Sequence, residues 1–155
     1  MRRYLLPAVF AISLIAPQAA LAQEAPAGHR PEGMPAVVQQ LSLSEASIHP
    51  KRRKRSGQEV HGKLPDGTWV EIDLDRNGNV EEVEADGKTG FAANTVEPLV
   101  PAAVRNNTSY PADAFFQKLE FNRGNRIEIE GYRRDGTKFE AEFTADGRLL
   151  ELKNG

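Results

Sequence analysis

The sequence predicts an α+β protein of two tandem units, each a short helix followed by an antiparallel sheet of about four strands. Three observations predict it. The stretch from Val60 to Val83 returns from Ile129 to Leu152 at a constant offset of 69 residues: Gly62 meets Gly131, Asp66-Gly67-Thr68 meets Asp135-Gly136-Thr137, and Gly78 meets Gly147. Self-similarity at a fixed period marks a repeated supersecondary unit. Within each copy, apolar and polar residues alternate with the period of a strand that has one dry and one wet face. Asp-Gly and Asn-Gly pairs interrupt that alternation where hairpins need positive φ.

The N-terminus is set aside before the fold is considered. Arg2 and Arg3 precede an apolar run, Leu5 to Ala16, that is short for a bilayer span, and Ala20-Leu21-Ala22 has the small-x-small form of a cleavage site. This is the three-part pattern of a secretory signal peptide. Residues 1–22 are therefore expected to be removed before Gln23, leaving a periplasmic or secreted protein. No later apolar run approaches the ~20 residues of a membrane span. The chain has no cysteine, which excludes disulfides, thiolate chemistry and a cysteine-linked lipid. Without Arg2 and Arg3 it carries 18 basic and 22 acidic side chains, a net charge of −4. That balance argues against nucleic acid, which needs a positive field.

Residues 23–33 are polar and proline-containing and read as a disordered leader. The first unit then spans 34–84, a Gly-rich linker 85–97, and the second unit 98–155. Pro35 opens a helical stretch whose Met34, Val38 and Leu41 share one face, and Pro101-Ala102-Ala103-Val104 repeats that opening. Ser47 to Gly57 and Phe115 to Gly124 are read as the first strands. The former is placed at an edge, because Pro50 cannot donate to a ladder and Lys51 to Arg55 are five consecutive cations. In the hairpin that follows, Pro65-Asp66-Gly67 is read as a three-residue loop. The expected facing pairs are Leu64 with Val70, Gly62 with Ile72 and Val60 with Leu74. In the second copy, Arg134-Asp135-Gly136 is expected to set Gly131 against Ala141 and Ile129 against Phe143. This register puts the apolar residues on one face; a one-residue slip would mix the faces. Asn77-Gly78 and Asp146-Gly147 then turn into the last strands.

The order short helix, strand, strand, Asp-Gly turn, strand, turn, strand in an exported chain resembles the PepSY-like family. It also resembles the tandem-repeat architecture of β-lactamase-inhibitor proteins. The residues carrying the resemblance are Gly62, Asp66-Gly67-Thr68 and Asp75-Arg76-Asn77-Gly78, with Gly131, Asp135-Gly136-Thr137 and Ala145-Asp146-Gly147 in the second copy. It implies a small periplasmic binding or protease-regulating module without catalytic residues.

Four features bear on chemistry. Asp73 to Glu84 matches the calcium-loop pattern D-x-[DN]-x-[DN]-G-x5-E, with Asp73, Asp75, Asn77, Asn79, Glu81 and Glu84 as candidate ligands. The flanking TWVEIDL alternates with period two, however, where such a loop needs a helix, so a hairpin turn is favoured and no cofactor is expected. Lys51, Arg52, Arg53, Lys54 and Arg55 form a candidate polyanion or partner contact, absent from the second copy. Trp69 and Tyr132 fall on the wet faces as candidate aromatic anchors. His61 is expected to oppose Asp73, and Glu130 to oppose Glu142, a like-charge pair that calls for a nearby cation. No nucleophile elbow or phosphate loop occurs. The sequence therefore points to an exported, non-catalytic module that binds a protein or peptide in the cell envelope through a wet sheet face or a strand edge. Calcium binding through Asp73–Glu84, and polyanion binding through Lys51–Arg55, are the alternatives.

Overall fold

The structure is a computed structural model and describes residues 33–51, 56–122 and 124–155. The expected signal peptide and leader, and Arg52, Arg53, Lys54 and Arg55, lie outside the described residues, apart from Gly33 at the leader's end.

The chain runs α1 (Ala36–Gln39), β1 (Ser44–Pro50), β2 (Gln58–Lys63), β3 (Trp69–Leu74), β4 (Val80–Ala85) and β5 (Phe91–Ala92). A 3₁₀ helix (Ala93–Leu99), α2 (Ala102–Arg105), β6 (Phe115–Asn122), β7 (Arg126–Tyr132), β8 (Lys138–Thr144) and β9 (Leu149–Asn154) follow. The nine strands of the described residues belong to one antiparallel sheet ordered β1-β2-β3-β4-β6-β7-β8-β9, with β5 paired to β6.

This overturns the expected fold class of two tandem units, each a short helix followed by a sheet of about four strands. The two halves share one continuous sheet, because β4 pairs with β6 through Glu82–Glu120, Val83–Leu119 and Glu84–Lys118. An unpaired strand edge exposes a row of N–H and C=O groups. Joining β4 to β6 satisfies two such edges at once and continues the apolar face across the seam. The helices are single turns of four residues rather than packing elements in their own right. Both begin after a proline whose carbonyl accepts the first turn's N–H groups, Val38 and Gln39 on Pro35, Val104 and Arg105 on Pro101.

The core lies on one face of the sheet. Alternate residues of the central strands are buried there, including Val60, Val70, Ile72, Val83, Leu119, Ile129, Ala141 and Phe143. Met34, Val38 and Leu41 from around α1 join the same cluster, as do Val96 and Val104. Phe91 is fully buried too, in an edge-to-face contact with Phe116, so the stretch between the halves contributes to the core.

The repeat persists as equivalent positions within the single sheet. Gly67 and Gly136 hold φ of 89° and 85° at the hairpin tips, and Gly78 and Gly147 hold 81° and 91°. The tip turns close through Gly67 N–H to Leu64 O at 2.8 Å and Gly136 N–H to Arg133 O at 2.9 Å. The register differs from expectation by two residues in both copies. Gly62 faces Val70 and Val60 faces Ile72, while Gly131 faces Phe139 and Ile129 faces Ala141. The three-residue loops themselves are as read: Leu64 N–H donates to Thr68 O and Arg133 N–H to Thr137 O, and a loop of this length sets Leu64 against Thr68, so the expected pairs ran two residues too far. A shift of two keeps every side chain on its face. The dry and wet sets are therefore as expected, although the partners are not.

Candidate functional site

The wet face is built by the residues between the core positions on each strand. Read across the sheet, one row runs Glu59, Asp73, Glu82, Glu120, Glu128, Glu142, Glu151, each the direct cross-strand partner of the next. Seven carboxylates thus stand in register from β2 to β9. The neighbouring row runs His61, Glu71, Glu84, Lys118, Glu130, Glu140, Lys153. Like charges directly opposite one another destabilise a sheet, so this arrangement opposes folding and is held together by inserted cations.

Lys118 is the central one. Its ammonium lies 2.5 Å from Glu120, 3.6 Å from Glu130 and 3.8 Å from Glu82, and the hydrogen bond to Glu120 is the main reason its pKa is raised. Arg126 reaches Glu142 at 2.8 Å, and Lys153 lies 2.9 Å from Glu140 and 3.1 Å from Glu151. At the other end, Lys51 lies 2.6 Å from Glu81 and 3.1 Å from Asp73. Burial opposes the Lys51 charge, but the hydrogen bonds to Glu81 and Asp73 outweigh it and its pKa rises. Compensation is incomplete. Glu82 and Glu128 both titrate above the usual carboxylate range, first because burial disfavours their charged forms; Lys118 partly offsets this, and the acids around them add to it. Asp73, Glu81, Glu82, Glu120, Glu128, Arg126 and Glu142 line a concavity of about 980 Å³.

The sequence-predicted residues are placed as follows. Trp69 is on the wet face, 39% exposed, with the Lys63 ammonium 5.0 Å from its ring. Tyr132 is half-buried on the same face, facing Lys138. The two aromatics sit on β3 and β7, separated by β4 and β6 in the sheet order. Lys51, the described member of the basic run, is committed to Asp73 and Glu81, and its side chain is 2% exposed. Its ammonium is thereby engaged within the sheet.

The calcium-loop residues form a hairpin. Asp73 lies on the wet face one residue before the end of β3, and Asp75 turns inward on its own loop. Asp75 accepts Asn77 N–H at 2.7 Å and Asn79 N–H at 2.9 Å on one oxygen, and the Asn79 amide at 2.9 Å on the other. The side-chain bond from Asn79 is the first cause of the lowered Asp75 pKa. Glu84 faces Lys118. Among the described residues, the carboxylates that could gather a cation are instead Glu59, Glu71 and Asp73, whose oxygens lie within 4.8 Å of one another. His61 faces Glu71 rather than the expected Asp73, at 3.7 Å. Glu130 faces Glu140 rather than Glu142, and the cation that this like-charge pair calls for is Lys118.

The acidic row is the feature that reading the residues singly missed. Its signal is present in the sequence. Glu59 and Glu128, Asp73 and Glu142, and Glu82 and Glu151 are each separated by the same 69 residues that relate the glycines. The repeat therefore duplicates carboxylates as well as turns.

No protein-family model matches the chain, and no curated protein sequence matches it. Among solved structures, the chain is similar to a provisionally described periplasmic protein of unknown function from Bacteroides vulgatus. It is 22% identical over 70% of this chain and 75% of that one, with a TM-score of 0.41. A provisionally described periplasmic protein from Bacteroides eggerthii is 17% identical over 82% and 90%, with a TM-score of 0.33. A DUF2874 family protein from Bacteroides uniformis is 18% identical over 77% and 88%, with a TM-score of 0.32. Among the described residues, no helix is long and apolar enough to cross a membrane.

Proposed function

We propose that this is an exported, non-catalytic binding module whose acidic sheet face takes up a cationic segment of a protein or peptide in the cell envelope. The observation that carries the reading is the in-register row of seven carboxylates from Glu59 to Glu151. The two rows together present eleven carboxylates against two lysines, Lys118 and Lys153. A concave surface of one sign focuses the field and concentrates ligands of the opposite sign. At the usual strand spacing the row extends about 29 Å, the reach of roughly nine extended residues. Trp69, at the margin of the acidic face, supplies an aromatic anchor of the kind that binding surfaces favour. Export is supported by the signal-peptide pattern of Met1 to Ala22. The absence of catalysis is supported by the PepSY-like resemblance of the turn residues.

The test is calorimetric titration with a ten-residue peptide alternating Arg and Ser, and with an Asp/Ser control. Saturable binding of the Arg peptide that weakens steeply with salt, and weakens about ten-fold or more in a Glu82→Gln/Glu120→Gln/Glu128→Gln variant, is the expected result. Failure of the Arg peptide to bind at low ionic strength, or equal binding by the variant, would overturn the reading. A calcium titration run alongside asks whether a divalent cation competes for the same carboxylates.

A further inference from the structure

The two outer edges of the sheet are not alike. β1 is blunted: its pairing with β2 shifts between Ser44 and Ser47, Glu45 sits at a φ of 53°, and Pro50 has no N–H. Such devices keep other strands away from an edge. β9 pairs regularly with β8 from Glu151 to Asn154. Gly155 N–H donates to Lys138 O at 2.8 Å, so the ladder's alternation turns the backbone groups of Glu151 and Lys153 toward β8. The N–H and C=O of Leu152 therefore face outward, and among the described residues nothing pairs with them.

The internal repeat shows what this edge does when it is met. Glu82, Val83 and Glu84, through which β4 takes up β6, lie 69 residues before Glu151, Leu152 and Lys153. The segment that accepts a strand in the first half is thus the segment left open in the second.

We propose that β9 is a docking edge for a second copy of this chain, the two β9 strands pairing antiparallel about a two-fold axis at Leu152. The register follows from the backbone, since a hydrogen-bonded central pair needs a residue whose groups face outward, and Leu152 is that residue. It sets Leu152 against the partner's Leu152 and continues the apolar face. It also sets Glu151 against the partner's Lys153, twice by symmetry, in the non-hydrogen-bonded positions where side chains lie closest. The acidic row, which would otherwise end at Glu151 with no cross-strand neighbour beyond it among the described residues, then meets a cation. Lys153 is at present shared between Glu140 and Glu151 of its own sheet and gains a third carboxylate. Leu150, one of the large apolar side chains exposed among the described residues, lies beside the junction. Self-pairing closes as an isologous dimer, whereas β9 on β1 of the next copy would grow without limit, and the blunted β1 disfavours that route.

Sedimentation equilibrium on the purified protein tests this, with amide hydrogen exchange at Leu152 as a readout that needs no variant. The expected result is a reversible monomer–dimer equilibrium in which the Leu152 amide exchanges more slowly as protein concentration rises. Lys153→Glu, which sets Glu151 against a carboxylate, should raise the dissociation constant about ten-fold or more, and the exchanged pair Glu151→Lys/Lys153→Glu should restore it to within about three-fold. A monomer at every concentration, a dimer indifferent to both variants, or a mass that keeps growing past the dimer would overturn the proposal. Should Lys153→Glu fail to fold, the exchanged pair and the concentration dependence of Leu152 exchange decide the matter.

Discussion

Val83 on β4 and Leu119 on β6 are direct cross-strand partners, and both are fully buried. They stand at the seam where the first half of the chain meets the second, so the core is continuous across it. Leu119→Ala is expected to cost about 2–4 kcal/mol, the range for a large-to-small change in a packed core. Because one core spans the seam, the loss should fall on the whole molecule. Urea unfolding followed by Trp69 fluorescence, which reports β3 in the first half, and by far-UV circular dichroism, which reports all strands, should move together. Two separated transitions in the wild-type protein would mean that the halves fold independently.

Glu82 and Glu120 face each other one residue away from that pair. Burial first, then the surrounding acids, with Lys118 opposing, holds the Glu82 carboxyl above its ordinary range; Glu128 behaves likewise. A carboxyl whose folded-state pKa exceeds the unfolded value binds its proton more tightly in the native state. Its contribution to stability is absent at neutral pH, grows as pH falls through the raised folded value, and is complete below the unfolded one. Glu82→Gln is therefore expected to stabilise the protein at pH 7 by about 0.5 kcal/mol, the scale of one like-charge cross-strand pair. That advantage should shrink as the pH falls through the raised carboxyl's titration. Thermal melts of both proteins across this range check the sign, and an advantage that grows on acidification would contradict it.

How much of this was legible in the sequence follows from what is local. The turns were, because Gly67, Gly136, Gly78 and Gly147 answer to backbone φ at their own positions. The division into dry and wet faces was, because a period of two survives any even shift. The register was legible as well, since a loop of Pro65-Asp66-Gly67 sets Leu64 against Thr68, but the facing pairs expected from that loop ran two residues too far. The single sheet was not legible. Val83 and Leu119 are 36 positions apart and carry no mark of their pairing beyond being apolar. The acidic face lay between these cases: its residues recur at the offset of the glycines, but only the cross-strand register shows that they form one row. Lys51 was read with its basic neighbours, whereas the fold assigns it to Asp73 and Glu81.

That assignment has a cost when it is undone. Asp73 is 22% exposed, its second oxygen is shielded from solvent without a hydrogen-bond partner among the described residues, and Glu59 and Glu71 lie close by. Lys51→Met keeps much of the side chain's bulk and removes the charge. It should destabilise the protein by about 1–3 kcal/mol, because a half-buried carboxylate is left among acids without its cation. Chemical denaturation at neutral pH measures the loss, and an unchanged stability would show that Asp73 does not depend on the Lys51 charge.

Two turn glycines of the second half, Gly136 and Gly147, separate conformational strain from steric contact. Gly136 holds a φ of 85° at a hairpin tip, and a Cβ there would meet nothing within 4 Å. Gly136→Ala should therefore cost only the left-handed backbone penalty, about 1 kcal/mol. Gly147 holds a similar φ of 91°, but its Cβ would be driven into the Ala103 carbonyl of α2, against which the turn is fastened by the Asn107 amide donating to Gly147 O at 2.9 Å. Gly147→Ala adds backbone displacement to the same penalty, so its cost should be several-fold larger, about 3 kcal/mol or more. Urea denaturation of the two variants gives the comparison directly. Equal losses would show that the contact between the last turn and α2 yields freely. A larger loss at Gly147 would show that the short helix is pinned to the sheet by that turn, as Gly78 beside Pro35 implies for the first half.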